Sequence, residues 1–434
     1  MKKKVLIYPC GTEIAFEIYN SIKYSTFFEA YGGSSDYDHG YFVYDKLVEE
    51  LPFITDKSSK EEVRRFNEAV KSYGFDFIYP AMDGVLTVFA RYRDELDAIL
   101  IAPDTFTSET TRRKSRTYEL LKGVIPIPEI FYNDEIPDRY PVFIKPDVGQ
   151  GSKGARRADT KEIYLSIRNS GAISDNLVLE HLPGKEYTVD CFTNLSGKLI
   201  FARGRGRNRI KLGISVNTEP VDESENKIFF ELAEKINSQL HQKGGWFFQL
   251  KEDKNGELKL LEVAARIAGT SAVTRNIGVN LPLLTLFTFS GQNIEEILVN
   301  NYNIELDRAF ANSYRIDLEF DKVYVDFDDT IICNEKVNLR LISFLYQCLN
   351  ENKKLILITK HDGDLEGQLV KYRLTGLFDR IIRLSRAEYK SDFIDKTDSI
   401  FIDDSYGERK EVREKLGIPV FDVAMVECLI KSND

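Results

Sequence analysis

Short apolar runs recur along the chain, separated by stretches whose apolar residues fall at helical spacing. KVLIYP, FDFIYP, ILIAPD, VFIKP, NLVLE, VYVDF, KLILIT and SIFID are each too short for a stable helix and rich in Val, Ile and aromatic residues. They read as buried strands, and their alternation with helical segments predicts α/β architecture with largely parallel sheets. Three blocks emerge. Residues 1–105 read as βαβ units around KVLIYP, residues 106–310 as an α+β block with charged turns, and residues 320–434 as a second doubly wound α/β unit. A polar stretch near Asn301 to Asp321 links the last two.

A length of 434 residues suits about three domains on a soft prior of one per ~150 residues. With 43% hydrophobic and 29% charged residues, burial can offset the entropy of ordering. Fifty-nine basic against 69 acidic side chains leave a net charge of −10, so no global positive field draws nucleic acid or anionic lipid. The start, MKKKVLIYPCG, lacks a secretory core, and the Val279–Phe289 stretch is too short to span a bilayer. Five cysteines scattered singly argue against a disulfide framework. A soluble protein of the reducing cytoplasm is expected, without membrane or nucleic-acid partners and with a homo-oligomer left open.

In the third block three strand-like runs end in Asp326, Thr359 and Asp403. Parallel strands deliver their carboxyl ends to one crevice, so these residues are expected to meet. Asp326 and Asp328 share a side-chain direction if the segment stays extended. Crowded carboxylates repel unless a cation neutralises them, and Mg²⁺ takes carboxylate and phosphate oxygens together. For any one motif alone, ordinary strand-end caps and turn residues explain these acids better; three in order favour a site.

In the middle block, VGQGSKGA offers backbone N–H groups to phosphate but is not a P-loop, because no G-K-[ST] stands at the required spacing. Asn255-Gly256 signals a hairpin turn. A two-residue loop sets Gln249 opposite Glu262, Phe248 opposite Val263 and Leu250 opposite Leu261. Gln249 and Glu262 then share one polar spot, suited either to a cation or to a plain cross-strand hydrogen bond. Arg203, Arg205, Arg207 and Arg209 alternate, so an extended strand directs all four to one face, which suggests an anionic partner or a solvated edge. The four histidines and Trp246 are isolated, and structural or surface roles are expected for them.

Two resemblances follow from these residues. DFDDT resembles the D-x-D-x-T motif of haloacid-dehalogenase-like (HAD-like) phosphohydrolases, with Thr359, Lys390 and Asp403-Asp404 similar to that family's second, third and fourth motifs. The resemblance implies a Rossmann-like domain with Asp326 as nucleophile, Asp328 as general acid and base, and Mg²⁺ held among Asp326, Asp328, Asp403 and Asp404. Spacings of 33 and 31 residues between Asp326, Thr359 and Lys390 leave no place for an inserted cap domain, so the site should be open. Its substrate would be a phosphoester.

Residues 1 to about 310 resemble ATP-grasp enzymes of the carboxylate–amine ligase type: a pre-ATP-grasp α/β unit, then Lys114, Lys145, the Gly/Ser loop, LVLEHLPGKEYTVD, Gln249 and LEVAARIAGTS. By that resemblance Lys114 and Lys145 contact ATP phosphates, and the loop with Gly151 and Ser152 closes over them. Glu180 and the backbone near Leu182 hold adenine, Glu186 holds ribose, Gln249 and Glu262 hold Mg²⁺, and Arg266 anchors the reacting carboxylate. The family's Asn two residues after the metal-binding Glu is Ala264 here. The implied chemistry is activation of a small carboxylate as an acyl phosphate for attack by an amine. Two alternatives remain at this stage: an ATP sensor or scaffold controlling an active phosphatase, and a processor of nucleic-acid ends.

Overall fold

The structure, a computed structural model, describes residues 1–132, 135–149, 153–171 and 175–431. It divides into two compact units, Met1–Phe310 and Ala311–Asp434.

The first unit opens on a five-stranded parallel sheet in the order Leu47–Val48, Phe28–Gly33, Lys3–Tyr8, Phe77–Pro80, Ile99–Leu100. Chain order reverses on either side of Lys3–Tyr8, and crevices form beyond the carboxyl ends of strands at such a switch point. Phe28–Gly33 and Leu47–Val48 escape the sequence reading because FEAYGG carries two glycines and a glutamate instead of an unbroken apolar run. Two antiparallel sheets follow. One runs Ile130–Phe131, Asn176–Glu180, Val142–Pro146, Arg156–Ala158, and the other runs Leu199–Gly206, Glu186–Thr193, Gly244–Glu252, Leu258–Ala264.

Helix Glu223–Gln239 covers the second of these sheets. Asp222 caps it by accepting from the N–H groups of Ser224 and Glu225, and Phe229, Leu232, Ala233 and Ile236 form its buried stripe at three- and four-residue spacing. Burying Phe229 alone is worth roughly 1.5–3 kcal/mol. Gly204 makes the approach feasible, since a Cβ there would stand 2.0 Å from the Phe229 ring. The glycine inside RGRGR therefore serves helix packing. The apolar Leu281–Phe289 segment is a mostly buried helix of this unit, capped by the Asn280 side chain. Among the described residues no helix is long and apolar enough to cross a membrane.

The second unit holds a parallel sheet in the order Arg380–Arg383, Lys354–Thr359, Lys322–Val325, Ser399–Ile402, Val420–Phe421, with its first strand again at the switch point. Between Asp326 and Lys390 lie only the small Ile332–Cys333/Lys336–Val337 hairpin, two helices and two sheet strands, with no inserted domain among these residues.

Candidate functional sites

Across the second antiparallel sheet, Arg205, Thr188, Gln249 and Glu262 stand in one row on four successive strands. All four line a cavity of about 870 Å³. Its far wall comes from the switch point of the first sheet, at Gly11–Ile14 and Ala81–Asp83. Lys114 and Glu262 also line an adjoining cavity of about 180 Å³ that reaches Lys145, Glu180, Leu182 and Glu186.

The hairpin that aligns Gln249 with Glu262 differs from the expected one. Asp253 pairs with Glu257 around a three-residue loop, its carboxylate accepting from the N–H groups of Asn255 and Glu257. Gly256 takes φ +82°, the left-handed conformation such a loop needs. Leu250 consequently faces Leu260 and not Leu261, and an irregularity between Gln249 and Leu250 restores Gln249 opposite Glu262. The extra residue, Leu261, turns its carbonyl to the Tyr118 hydroxyl at 2.8 Å and to Lys145 Nζ at 3.1 Å. The bulge thus links the cation-suited pair to the buried lysine.

Lys145 also donates to the Tyr118 hydroxyl at 2.9 Å. Burial drives its ammonium down to about 7, repulsion from Lys114 adds to this, and Glu262 and Glu186 oppose it. Lys114 Nζ donates to the Gly149 carbonyl at 3.3 Å. Glu186 lies 2.8 Å from Arg207 and 3.2 Å from Lys251, while a Glu180 oxygen accepts from the Glu129 N–H at 2.9 Å. Gly151 and Ser152 lie outside the described residues.

Arg266 reaches across to Asp83 at 2.5 Å and donates to the Ile267 carbonyl. Burial would raise the Asp83 carboxyl, but Arg266, with Arg112 and Lys114 behind it, brings it below the usual value. Asp83 was not singled out in the sequence, although it follows the FDFIYP strand where such folds place ligands. Ala264 stands two residues beyond Glu262 and lines the larger cavity. Among the described residues the only group of three or more His, Cys, Asp or Glu side chains close enough to share a metal ion lies in the second unit.

The expectation that the four alternating arginines share one face open to an anionic partner does not hold. Arg203 pairs with Glu223, Arg205 with Asp190, Arg207 with Glu186 and Arg209 with Asp307. The strand ends at Gly206, and each charge is met by an acid distant in sequence. Asp190, fully buried, also accepts from Thr274 at 2.6 Å.

In the second unit Lys390 Nζ lies 2.6 Å from both Asp326 and Asp403. Burial raises the carboxyls of Asp326 and Asp403 despite Lys390; burial would lower Lys390, but the two aspartates outweigh it and hold its ammonium above the usual value. Oxygens of Asp326, Asp403 and Asp404 come within 4.8 Å of one another. These three carboxylates and one ammonium sum to two negative charges when ionised, which one hard divalent cation balances, and their oxygens suit Mg²⁺. Arg409 fixes the loop by donating to the Asp403 and Asp404 carbonyls, both at 2.6 Å. Thr359 is fully buried at the end of the neighbouring strand, its hydroxyl accepting from the His361 N–H at 3.2 Å.

Asp328 does not join the carboxylate group. The strand stops at Val325 and the chain turns from Phe327, so the extended spacing that would align Asp328 with Asp326 is absent, and Asp328 is not among the grouped carboxylates. Its carboxylate instead meets His361 Nδ1 at 2.9 Å. His361 was expected to be isolated; its position two residues past Thr359 was the one signal in the sequence. Thr330, the threonine that closes the DFDDT motif, donates its hydroxyl to Asp404 at 3.1 Å and accepts from the Asp404 N–H.

The sequence profile of a family described as "ATP-grasp in the biosynthetic pathway with Ter operon" matches residues 172–308. No curated protein matches the sequence significantly. Among solved structures, the biotin carboxylase domain of 2-oxoglutarate carboxylase from Hydrogenobacter thermophilus, in complex with MgADP, ADP and bicarbonate, aligns with a TM-score of 0.56 at 18% identity. It covers 68% of this chain and 71% of that one. Biotin carboxylase from Campylobacter jejuni gives 0.55 at 17% identity, covering 69% and 74%. N5-carboxyaminoimidazole synthetase from Staphylococcus aureus complexed with ADP gives 0.56 at 13% identity, covering 69% and 81%. The chain carries a mixed α/β ATP-grasp fold.

Proposed function

We propose that the chain joins two enzymes that handle phosphoryl groups, an ATP-dependent carboxylate–amine ligase and a HAD-like phosphohydrolase without a cap. The ligase reading is carried by one observation: Lys114, Lys145, Glu186, Gln249 and Glu262, drawn from separate helices and strands, border two adjoining cavities. The solved relatives bind ADP or MgADP in the same fold. In this reading Lys114 and Lys145 hold phosphate oxygens, and Glu180, Leu182 and Glu186 border the nucleoside. Gln249 and Glu262 would hold Mg²⁺, which when bound would supply neutralisation of phosphoryl charge. Arg266 is released from Asp83 to orient the substrate carboxylate that becomes an acyl phosphate.

The phosphohydrolase reading rests on Lys390 bridging Asp326 and Asp403 beside Asp404. Asp326 attacks phosphorus to form an aspartyl phosphate, Asp328 protonates the departing alcohol, and then withdraws a proton from the hydrolytic water. Lys390 and Thr359 stabilise the phosphoryl oxygens, and Asp326, Asp403 and Asp404 would hold Mg²⁺, which when bound would supply further neutralisation of their charge.

Purified protein should release ADP from ATP only when a suitable carboxylate and amine are supplied, and should hydrolyse p-nitrophenyl phosphate with Mg²⁺. One observation favours a second reading of the first unit, as an ATP sensor: Ala264 removes a side chain that the resemblance leads one to expect beside Glu262. ATP binding without turnover across a broad carboxylate panel would decide for the sensor.

A further inference from the structure

Charge in the larger cavity is unevenly committed. Arg266 is matched by Asp83, Arg112 by Asp56, Arg205 by Asp190 and Arg207 by Glu186. Lys114, Lys153 and Glu262, at the phosphate and cation end of the cavity, make no ion pair among the described residues, and two further groups of opposite sign also stand outside this pairing. Arg308 makes no ion pair among the described residues, and its NH1 nitrogen is buried without a hydrogen-bond acceptor. Its neighbour Asp307 is already taken by Arg209, and its own N–H is tied to the Val216 carbonyl at 2.7 Å, which fixes its place on the wall. Glu13 is the first residue of helix Glu13–Ile22 and likewise forms no ion pair among the described residues.

Glu13 and Arg308 flank one glycine. A Cβ on Gly269 would stand 3.7 Å from Arg308 NH1 and 3.8 Å from both Cβ and Oε2 of Glu13. The two charges therefore face the same small volume without closing on each other, and any larger side chain at 269 would enter it. A simple anion would satisfy Arg308 and be repelled by Glu13; a simple cation would do the reverse. A ligand with both charges one carbon apart satisfies both, and a buried donor left unmet calls for an explanation that such a ligand supplies.

We propose that Glu13, Arg308 and Gly269 form a clamp for an α-amino acid head group, its carboxylate on Arg308 and its ammonium on Glu13. The substrate of the large cavity is thus an amino acid or a compound ending in one. This deepens the ligase reading and rests on it.

The test uses the full chain with Mg²⁺ and a non-hydrolysable ATP analogue. Calorimetry is run with the twenty common L-amino acids and with counterparts lacking either the amino or the carboxyl group. At least one amino acid should bind, and both of its truncated counterparts should bind about tenfold more weakly or worse. In ADP-release assays Arg308→Gln and Glu13→Gln should each raise the KM for that amino acid about tenfold and leave the KM for ATP unchanged, while Arg308→Lys recovers part of the loss. Thermal unfolding identifies any variant that fails to fold, and Gly269→Val then supplies an independent block of the same volume. Equal binding of the truncated counterparts, or binding of the ATP analogue with none of the twenty amino acids, overturns the clamp and leaves the ligase reading standing. Failure of the wild-type chain to bind the analogue overturns the ligase reading itself.

Discussion

Lys145 has the most exposed consequences of any single residue in the first unit, because its charge is held where water cannot solvate it. With its ammonium brought down to about 7 by burial, it is largely neutral at pH 8. Phosphate oxygens placed beside it restore the charged form, so ATP binding at pH 8 should take up a proton. Calorimetry in buffers of different ionisation enthalpy reads that uptake, and Lys145→Met should remove both the uptake and most of the affinity. The sign for stability follows from the depressed value. Below about 7 the lysine is protonated in both states and burial of its charge costs stability; as pH rises from about 7 towards ~10.4, the unfolded chain alone keeps the proton and the folded state gains. Lys145→Met should therefore raise stability at pH 6, by roughly 1–4 kcal/mol, as read by denaturant midpoints.

In the second unit His361 fixes the Asp328 carboxylate at 2.9 Å. His361→Asn should lower kcat for p-nitrophenyl phosphate by about 10- to 100-fold with little change in KM. An unchanged kcat would mean the contact does not position Asp328. Asp326 and Asp403 were legible because strand ends advertise them in sequence, whereas Lys390, at the start of a short helical turn, came only from the motif resemblance. His361, Asp83 and the acids that neutralise the arginines were not, since each meets its partner across a distance no local pattern encodes.

The hairpin shows what is legible at the scale of an element. Asn255-Gly256 marks a turn, and the turn is there, but its length is one residue more than the dipeptide suggests. Asp253 chooses the longer loop by accepting two N–H groups, and the bulge at Leu261 absorbs the difference. Gln249 meets Glu262 as expected only because the two departures cancel. Gly256, at φ +82°, has nothing within 4 Å of its missing Cβ, so Gly256→Ala tests backbone strain without steric conflict. It should cost about 1–2 kcal/mol, read from the midpoint of urea unfolding. No loss would indicate that another loop conformation is equally accessible. Short strands with glycine, such as Phe28–Gly33, stayed hidden because their place in a sheet is decided by neighbours and not by their own composition.

At the scale of the whole chain, two parallel sheets with the same reversed strand order each place chemistry beyond the end of their first strand. The α/β class could be read from apolar runs alone, since buried parallel strands leave near-continuous apolar segments. Which side chains face the large cavity could not, because its walls come from stretches as distant as Glu13, Arg112 and Arg308. Two separate phosphate-handling centres are proposed to coexist in one polypeptide. The most direct measurement assays ATP binding and Mg²⁺-dependent p-nitrophenyl phosphate hydrolysis side by side in the wild-type chain, Lys145→Met and Asp326→Asn. Loss of ATP binding alone in the first variant and of hydrolysis alone in the second is the expected result; a single substitution that abolishes both, or hydrolysis that survives Asp326→Asn, would contradict it.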